Sequence, residues 1–122
     1  MTEIGRLKTR AEFLHVKGGT RYAAPSLVLE ARARANNKDV DRGLARFGFT
    51  ATKTLGSAVV RNRARRRLKE AVWATAPAHA KGGYDYVLIA RAGTVQRRFA
   101  ELIKDLERAI AKVHAPAPAK KR

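Results

Sequence analysis

Cysteine is absent from the 122-residue chain, which excludes disulfides and thiolate metal sites. Acidic residues are scarce: 10 Asp and Glu stand against 27 Lys and Arg, a formal net charge of +17. Charge on this scale opposes compaction by self-repulsion, so it implies a polyanionic partner, nucleic acid first and an anionic membrane surface second. The opening MTEIGRLKTR lacks the apolar core of a signal peptide, and nowhere do about 18 apolar residues run together as a membrane span requires. The expectation is a soluble, cytoplasmic protein. No internal repeat is visible, and the length suits one compact domain. An apolar content of 45% is globular in level, which argues against disorder throughout.

Hydrolytic side-chain chemistry is missing as well. His15, His79 and His114 are scattered, and none has a metal-ligand partner at usable spacing. Asp39 and Asp41 form the one close Asp pair, in a turn-like stretch where such residues serve the backbone. The segment KGGT at 17–20 lacks the Lys-Ser/Thr ending of a phosphate loop. These residues compose no self-sufficient nuclease site.

What is present reads as alternating helices and strands. Thr9 as N-cap, Glu12 three residues later and Gly18-Gly19 bound a short helix with Phe13 and Val16 on one face. APSLVLEARAR reads as a strand, with Leu27 and Leu29 facing one way and Val28 and Glu30 the other. LARFGFTATK alternates too, Phe47 and Phe49 opposing Arg46, Gly48 and Thr50; the turn-forming ANNKDVDRG between them predicts an antiparallel hairpin. Gly48 within a strand marks either a bulge or a close approach by another group. A helix starts at Ser57 and runs to about Thr75, stopped by Pro77. In YDYVLIAR the consecutive Val87, Leu88 and Ile89 predict a strand covered on both faces. TVQRRFAELIKDLERAIAKV predicts one long helix burying Phe99, Leu102, Ile103, Leu106, Ala109, Ile110 and Val113. A further short strand fits Thr20 to Ala23. Residues 1–5 read as a flexible N-terminus, 6–114 as a single α+β domain, and 115–122 as a disordered basic tail.

The densest feature is AVVRNRARRRLKEAV, residues 58–72, with six basic side chains between Arg61 and Lys69. On a helix turning about 100° per residue, Ala64, Leu68, Ala71, Val72 and Thr75 form one buried stripe. The remaining surface carries Arg63, Arg65, Arg66, Arg67 and Lys69, with Arg61 at the border of the stripe. Glu70 is the one acid between Arg42 and Tyr84, so i,i+4 pairing does not relieve the repulsion. A solvated charged face is the bland reading. Against it, arginine's planar fork suits bidentate phosphate contact, and Asn62 can reach bases or sugars. Lipid binding fits poorly, since the opposite face is alanine-rich and committed to the core, Trp73 excepted.

The stretch RFGFTATKTLGSAVVRNRARRRLKEAV resembles the signature of the protein subunit of bacterial ribonuclease P, with Arg46, Gly48, Lys53, Gly56, Ala58, Val59, Arg61, Asn62, Arg63, Arg65 and Arg66 matching in order. RLKTRAEF and DYVLIAR match the flanking helix and strand, so the resemblance covers about residues 6–112. It implies an α+β sandwich in α-β-β-(β)-α-β-α order, with the arginine helix as a left-handed crossover between parallel strands. It also implies a ribonucleoprotein endonuclease: the RNA holds the active site and magnesium, and the protein helps remove the 5′ leader of precursor tRNA. The partners are then ribonuclease P RNA and precursor tRNA, with no membrane and no small-molecule substrate, and no catalytic residue in the protein.

By the same resemblance, Arg61, Asn62, Arg63, Arg65, Arg66 and Lys69 face the catalytic RNA, and Phe13, Lys17, Arg46 and Lys53 form a cleft for the single-stranded leader. Core packing is the competing reading for Phe13. The chain departs from the family where Val16-Lys17, Glu30 and Thr54 replace two frequent aromatics and a lysine, which points to a cleft relying more on charge. A ribosomal or RNA-chaperone-type protein and a free-standing nuclease are the competing functions.

Overall fold

The computed structural model describes residues 2–34 and 43–115. Along the chain run β1 (Glu3–Arg6), α1 (Arg10–Val16), β2 (Thr20–Ala23), β3 (Leu27–Ala33), β4 (Leu44–Thr50), a 3-10 turn (Lys53–Leu55), α2 (Ala58–His79), β5 (Tyr84–Ala90), α3 (Ala92–Gln96) and α4 (Phe99–His114). The expected α+β class holds. One five-stranded sheet, in the order β1-β4-β5-β3-β2, carries helices on both faces.

β5 takes the centre because Val87, Leu88 and Ile89 are apolar on both sides, and such a strand needs both faces covered. It pairs in parallel with β4, from Arg46↔Asp85 to Thr50↔Ile89, and antiparallel with β3, from Leu27↔Ala90 to Ala33↔Tyr84. This corrects the expected hairpin: β3 and β4 are separated by the two-sided strand inserted between them. α2 therefore links adjacent parallel strands. The pairing runs in unbroken register through Gly48↔Val87, so Gly48 is not a bulge. Positions 35–42, which hold most of the predicted turn with Asp39 and Asp41, and positions 116–122 of the predicted tail lie outside the described residues.

The strand alternation sorts side chains onto two unequal cores. Leu27, Leu29, Ala45, Phe47, Tyr86 and Leu88 bury against the predicted stripe of α2 and against Leu102, Leu106, Ala109 and Ile110 of α4. On the opposite face, Val87 and Ile89 pack with Leu7, Phe13 and Val16 in a smaller cluster. α1, at seven residues, is too short to roof that face, and an open cleft remains beside it.

Three boundaries differ from expectation. The N-terminus is tied down: β1 pairs in parallel with β4, Thr2 N–H donates to the Pro77 carbonyl at 2.8 Å, and Thr2 Oγ1 donates to the Ala80 carbonyl at 2.7 Å. Pro77 does not stop α2, which runs on to His79. In the final turn a proline forfeits one ladder bond, to the carbonyl four residues back, and the helix tolerates this. The long last helix is two, broken at Arg97-Arg98. There the Thr94 hydroxyl donates to the Ser26 carbonyl, and Arg67 takes the Thr94 and Arg97 carbonyls at 2.7 and 2.5 Å. Phe99, expected in the core, is 36% exposed beneath the Arg67 guanidinium.

Candidate nucleic-acid interface

The arginine helix is fixed at its start by local chemistry. Gly56 sits at φ +150°, where a side chain is strained, and an added Cβ would crowd Val60 at 3.2 Å. Ser57 then caps α2, its hydroxyl accepting from Val60 N–H at 3.3 Å. Arg61 folds back, Nη1 donating to the Gly56 carbonyl at 2.8 Å. Its side chain is half-buried and holds the turn that launches the helix.

From there the basic residues diverge by angle. Asn62, Arg63 and Arg66 are exposed on the outward side. Arg65 and Lys69 are half-buried on the flank facing β1 and β4, where Arg65 Nη2 reaches Asn62 Oδ1 at 3.5 Å. Arg67 points the other way, onto the α3–α4 junction, and is a structural clamp. The one-signed face expected from the helical wheel is thus narrower by one arginine.

The cleft lies on the other side of the sheet and has a volume of about 540 Å³. Val87, Ile89, Thr50 and Glu30 line it along the strands, Phe13 and Lys17 contribute from α1, and Lys8 and Arg10 flank the N-cap. Phe13 packs in the small core and also lines the cleft, so its core role does not remove it from the cleft wall. Its ring lies where a Cβ on Gly48 would sit, 2.5 Å from two ring carbons, which explains the glycine as a close approach. Glu30, one of the departures noted in the sequence, is 4% exposed and paired with Arg21 at 3.0 Å across β2 and β3. The acid therefore leaves the cleft rim basic.

α1 is held in place by an ionic and capping frame. Thr9 Oγ1 accepts from Glu12 N–H at 3.2 Å, and Glu12 Oε1 accepts from Lys8 N–H at 2.6 Å and Thr9 N–H at 3.0 Å. The Lys8 N–H bond is the main cause holding the Glu12 carboxyl below its ordinary range, with Thr9 N–H and the Arg46 guanidinium adding to it against partial burial. Arg46 grips Asp85 with Nε at 2.9 Å and Nη2 at 2.7 Å, and Glu12 with Nη1 at 3.0 Å. Arg34 adds 2.6 Å to the same Asp85.

Of the predicted leader-cleft set, Phe13 and Lys17 line the cleft. Arg46 does not: it is taken up by Asp85 and Glu12 and anchors α1 to the sheet. Lys53 stands on the exposed turn just past Thr52, beside the cleft and not in its wall. Sequence reasoning missed Lys8 and Arg10, whose position either side of the N-cap Thr9 was the available signal. Among the described residues no three His, Asp or Glu side chains gather into a metal site. The carboxylates of Asp85 and Glu12 are already held by arginines, so these donors do not fit an inner-sphere magnesium ion.

Two surfaces are thus on one frame: an arginine-rich helix face and a basic cleft with an aromatic wall, the pairing that suits structured and single-stranded RNA respectively. The sequence model of the family described as Ribonuclease P matches residues 1–114. The ribonuclease P protein component of Paramagnetospirillum magneticum is 48% identical over 113 residues, covering 92% of this chain and 84% of that protein. That of Gluconacetobacter diazotrophicus is 50% identical over 108 residues, covering 88% and 89%. The solved structure of the Staphylococcus aureus RNase P protein, 30% identical, superimposes with a TM-score of 0.68 over 90% of this chain and 97% of that one. The chain belongs to the ribonuclease P protein family.

Proposed function

We infer that this chain is the protein subunit of a ribonuclease P holoenzyme. It binds the catalytic RNA and the 5′ leader of precursor tRNA, and supports hydrolysis of the one phosphodiester bond that frees the mature 5′ end. The observation that carries the reading is the match over residues 1–114, the span that holds both basic surfaces.

In this reading Arg63, Arg65, Arg66, Lys69 and Asn62 face the catalytic RNA, where arginines neutralise phosphates and release their counterions. Arg61 contributes charge while holding the Gly56 turn. The leader lies in the cleft with phosphates toward Lys8, Arg10 and Lys17 and a base against the Phe13 ring. Lys53 meets the strand where it leaves the cleft. Bond cleavage belongs to the RNA. Magnesium supplies charge neutralisation at the reacting phosphate there, and the protein's cations relieve phosphate repulsion around it, which lowers the metal concentration the assembly needs. On the family resemblance we also take the β4–α2–β5 crossover to be left-handed, against the usual hand of such units.

Phe13→Ala tests the cleft. Loss of one stacked base corresponds to about 1–3 kcal/mol, so cleavage efficiency on leader-bearing substrate should fall roughly ten-fold. Binding of mature tRNA should hardly change. Equal losses on both would count against the cleft.

A further inference from the structure

One place outside both surfaces brings an aromatic ring and positive charge into the open together. Trp73 lies one helical turn past Lys69 on α2 and is 62% exposed. It borders a groove of about 210 Å³ between α2 and β1, shared with Ile4, Arg6, Phe49, Lys69 and Val72. No acid lines this groove, and among the described residues neither Arg6 nor Lys69 has a carboxylate partner. An apolar protein partner would find two cations at the rim, and a second copy of this chain would bring another formal +17 against it.

The groove is continuous with the leader cleft, and the sheet register explains how. β1 ends at Arg6, opposite Phe47, while β4 continues to Thr50. The outer edge of Gly48, Phe49 and Thr50 is therefore left uncovered by β1. A notch opens there, lined by Arg6, Phe13, Gly48, Phe49, Arg65 and Lys69. It shares Phe13 with the cleft and shares Arg6, Phe49 and Lys69 with the Trp73 groove. The three hollows form one run around the sheet edge. Cations and an aromatic ring stand at each stage.

We propose that this run is a path for single-stranded RNA longer than the cleft itself, and that Trp73 is its terminal platform, stacking one unpaired nucleobase while Lys69 and Arg6 hold the adjoining phosphate. The proposal rests on the reading that the cleft holds unpaired RNA. Its ligand chemistry is a nucleotide free to unstack, since base–aromatic stacking inside a basic groove is sequence-tolerant and needs no paired partner. Two sources can supply it: the distal leader of precursor tRNA, or an unpaired stretch of the catalytic RNA.

Trp73 is the chain's one tryptophan, so its emission in the assembled holoenzyme reports on this groove alone. Quenching on adding ribonuclease P RNA, before any substrate, assigns the platform to the catalytic RNA. Quenching only on adding long-leader precursor tRNA, and not mature tRNA, assigns it to the leader. Either result supports the proposal when Trp73→Ala also weakens that same step by about ten-fold and Trp73→Phe restores most of it. Unaltered emission and iodide accessibility through both additions would overturn it. So would a change that follows protein concentration alone with a doubled mass, which would assign the groove to a second copy. If the Phe13→Ala defect on leader-bearing substrate persists while Trp73 stays silent, the cleft reading stands and the platform falls. If the protein stimulates no cleavage at all, the parent reading falls first.

Discussion

Arg66 and Arg67 are neighbours in sequence and about 100° apart on α2, and that angle gives them opposite work. Arg66 is exposed on the outward side of α2, whereas Arg67 spends its guanidinium on the Thr94 and Arg97 carbonyls. Arg67→Met should lower stability by about 1.5–3 kcal/mol, the range for hydrogen bonds from a charged group. Arg66→Met should stay within about 0.5 kcal/mol of the parent and weaken RNA binding instead. Denaturant unfolding beside RNA titration checks both, and reversed effects would refute the sorting. A helical wheel gives the angle of each arginine but not the neighbour it meets. The partners of Arg67 lie 27 and 30 residues downstream, so its clamp was not legible in the sequence. The same holds for Arg46, whose partner Asp85 is 39 residues away.

Elements set by local chemistry were legible. The Thr9–Glu12 capping box of α1 is present as read, and so are the Ser57 cap and the buried stripe of α2. Pairings set by distant segments were not. The predicted hairpin assumed that neighbours in sequence pair, but the two-sided strand β5 arrives later and separates them. β1 has four residues, and its place depends on an edge of β4 that no local pattern announces. The capping box carries a pH prediction, because α1 presents Phe13 and Lys17 to the cleft. The Glu12 carboxyl titrates below its ordinary value of 4.5 in the folded chain, chiefly because Lys8 N–H donates to it. The stability it contributes is complete above the unfolded value and is lost as pH falls through the lower folded value. Stability measured across the acid range should therefore fall less steeply in Glu12→Gln than in the parent. Identical slopes would mean that the charge of Glu12 does not support α1.

At the scale of the whole molecule, the chain carries a formal charge of +17 and concentrates cations at two places, the outward side of α2 and the rim of the cleft. The family and the division of labour with RNA were legible because the Arg61-Asn62-Arg63 run and its flanks lie contiguously on one strand and helix. The notch and the Trp73 groove were not, since the notch arises where β1 stops short of β4 and the groove where β1 lies beside α2. The expected cytoplasmic location is withdrawn: the family match over residues 1–114 assigns no compartment. That no described helix is long and apolar enough to cross a membrane does not bear on the compartment. Replacing Arg63 and Arg66 by alanine should flatten the salt dependence of holoenzyme assembly. With roughly 0.7–0.9 of a log unit in affinity per phosphate contact per log unit of salt, two lost contacts amount to a slope change of about 1.4–1.8. An unchanged slope would make these arginines merely solvated. The most direct measurement of the central claim is precursor-tRNA cleavage by bacterial ribonuclease P RNA at low magnesium, with and without this protein. The protein should raise cleavage at the mature 5′ end under conditions where the RNA alone is nearly silent, and should cleave nothing without the RNA. No gain over RNA alone, or cleavage by the protein alone, would contradict the account.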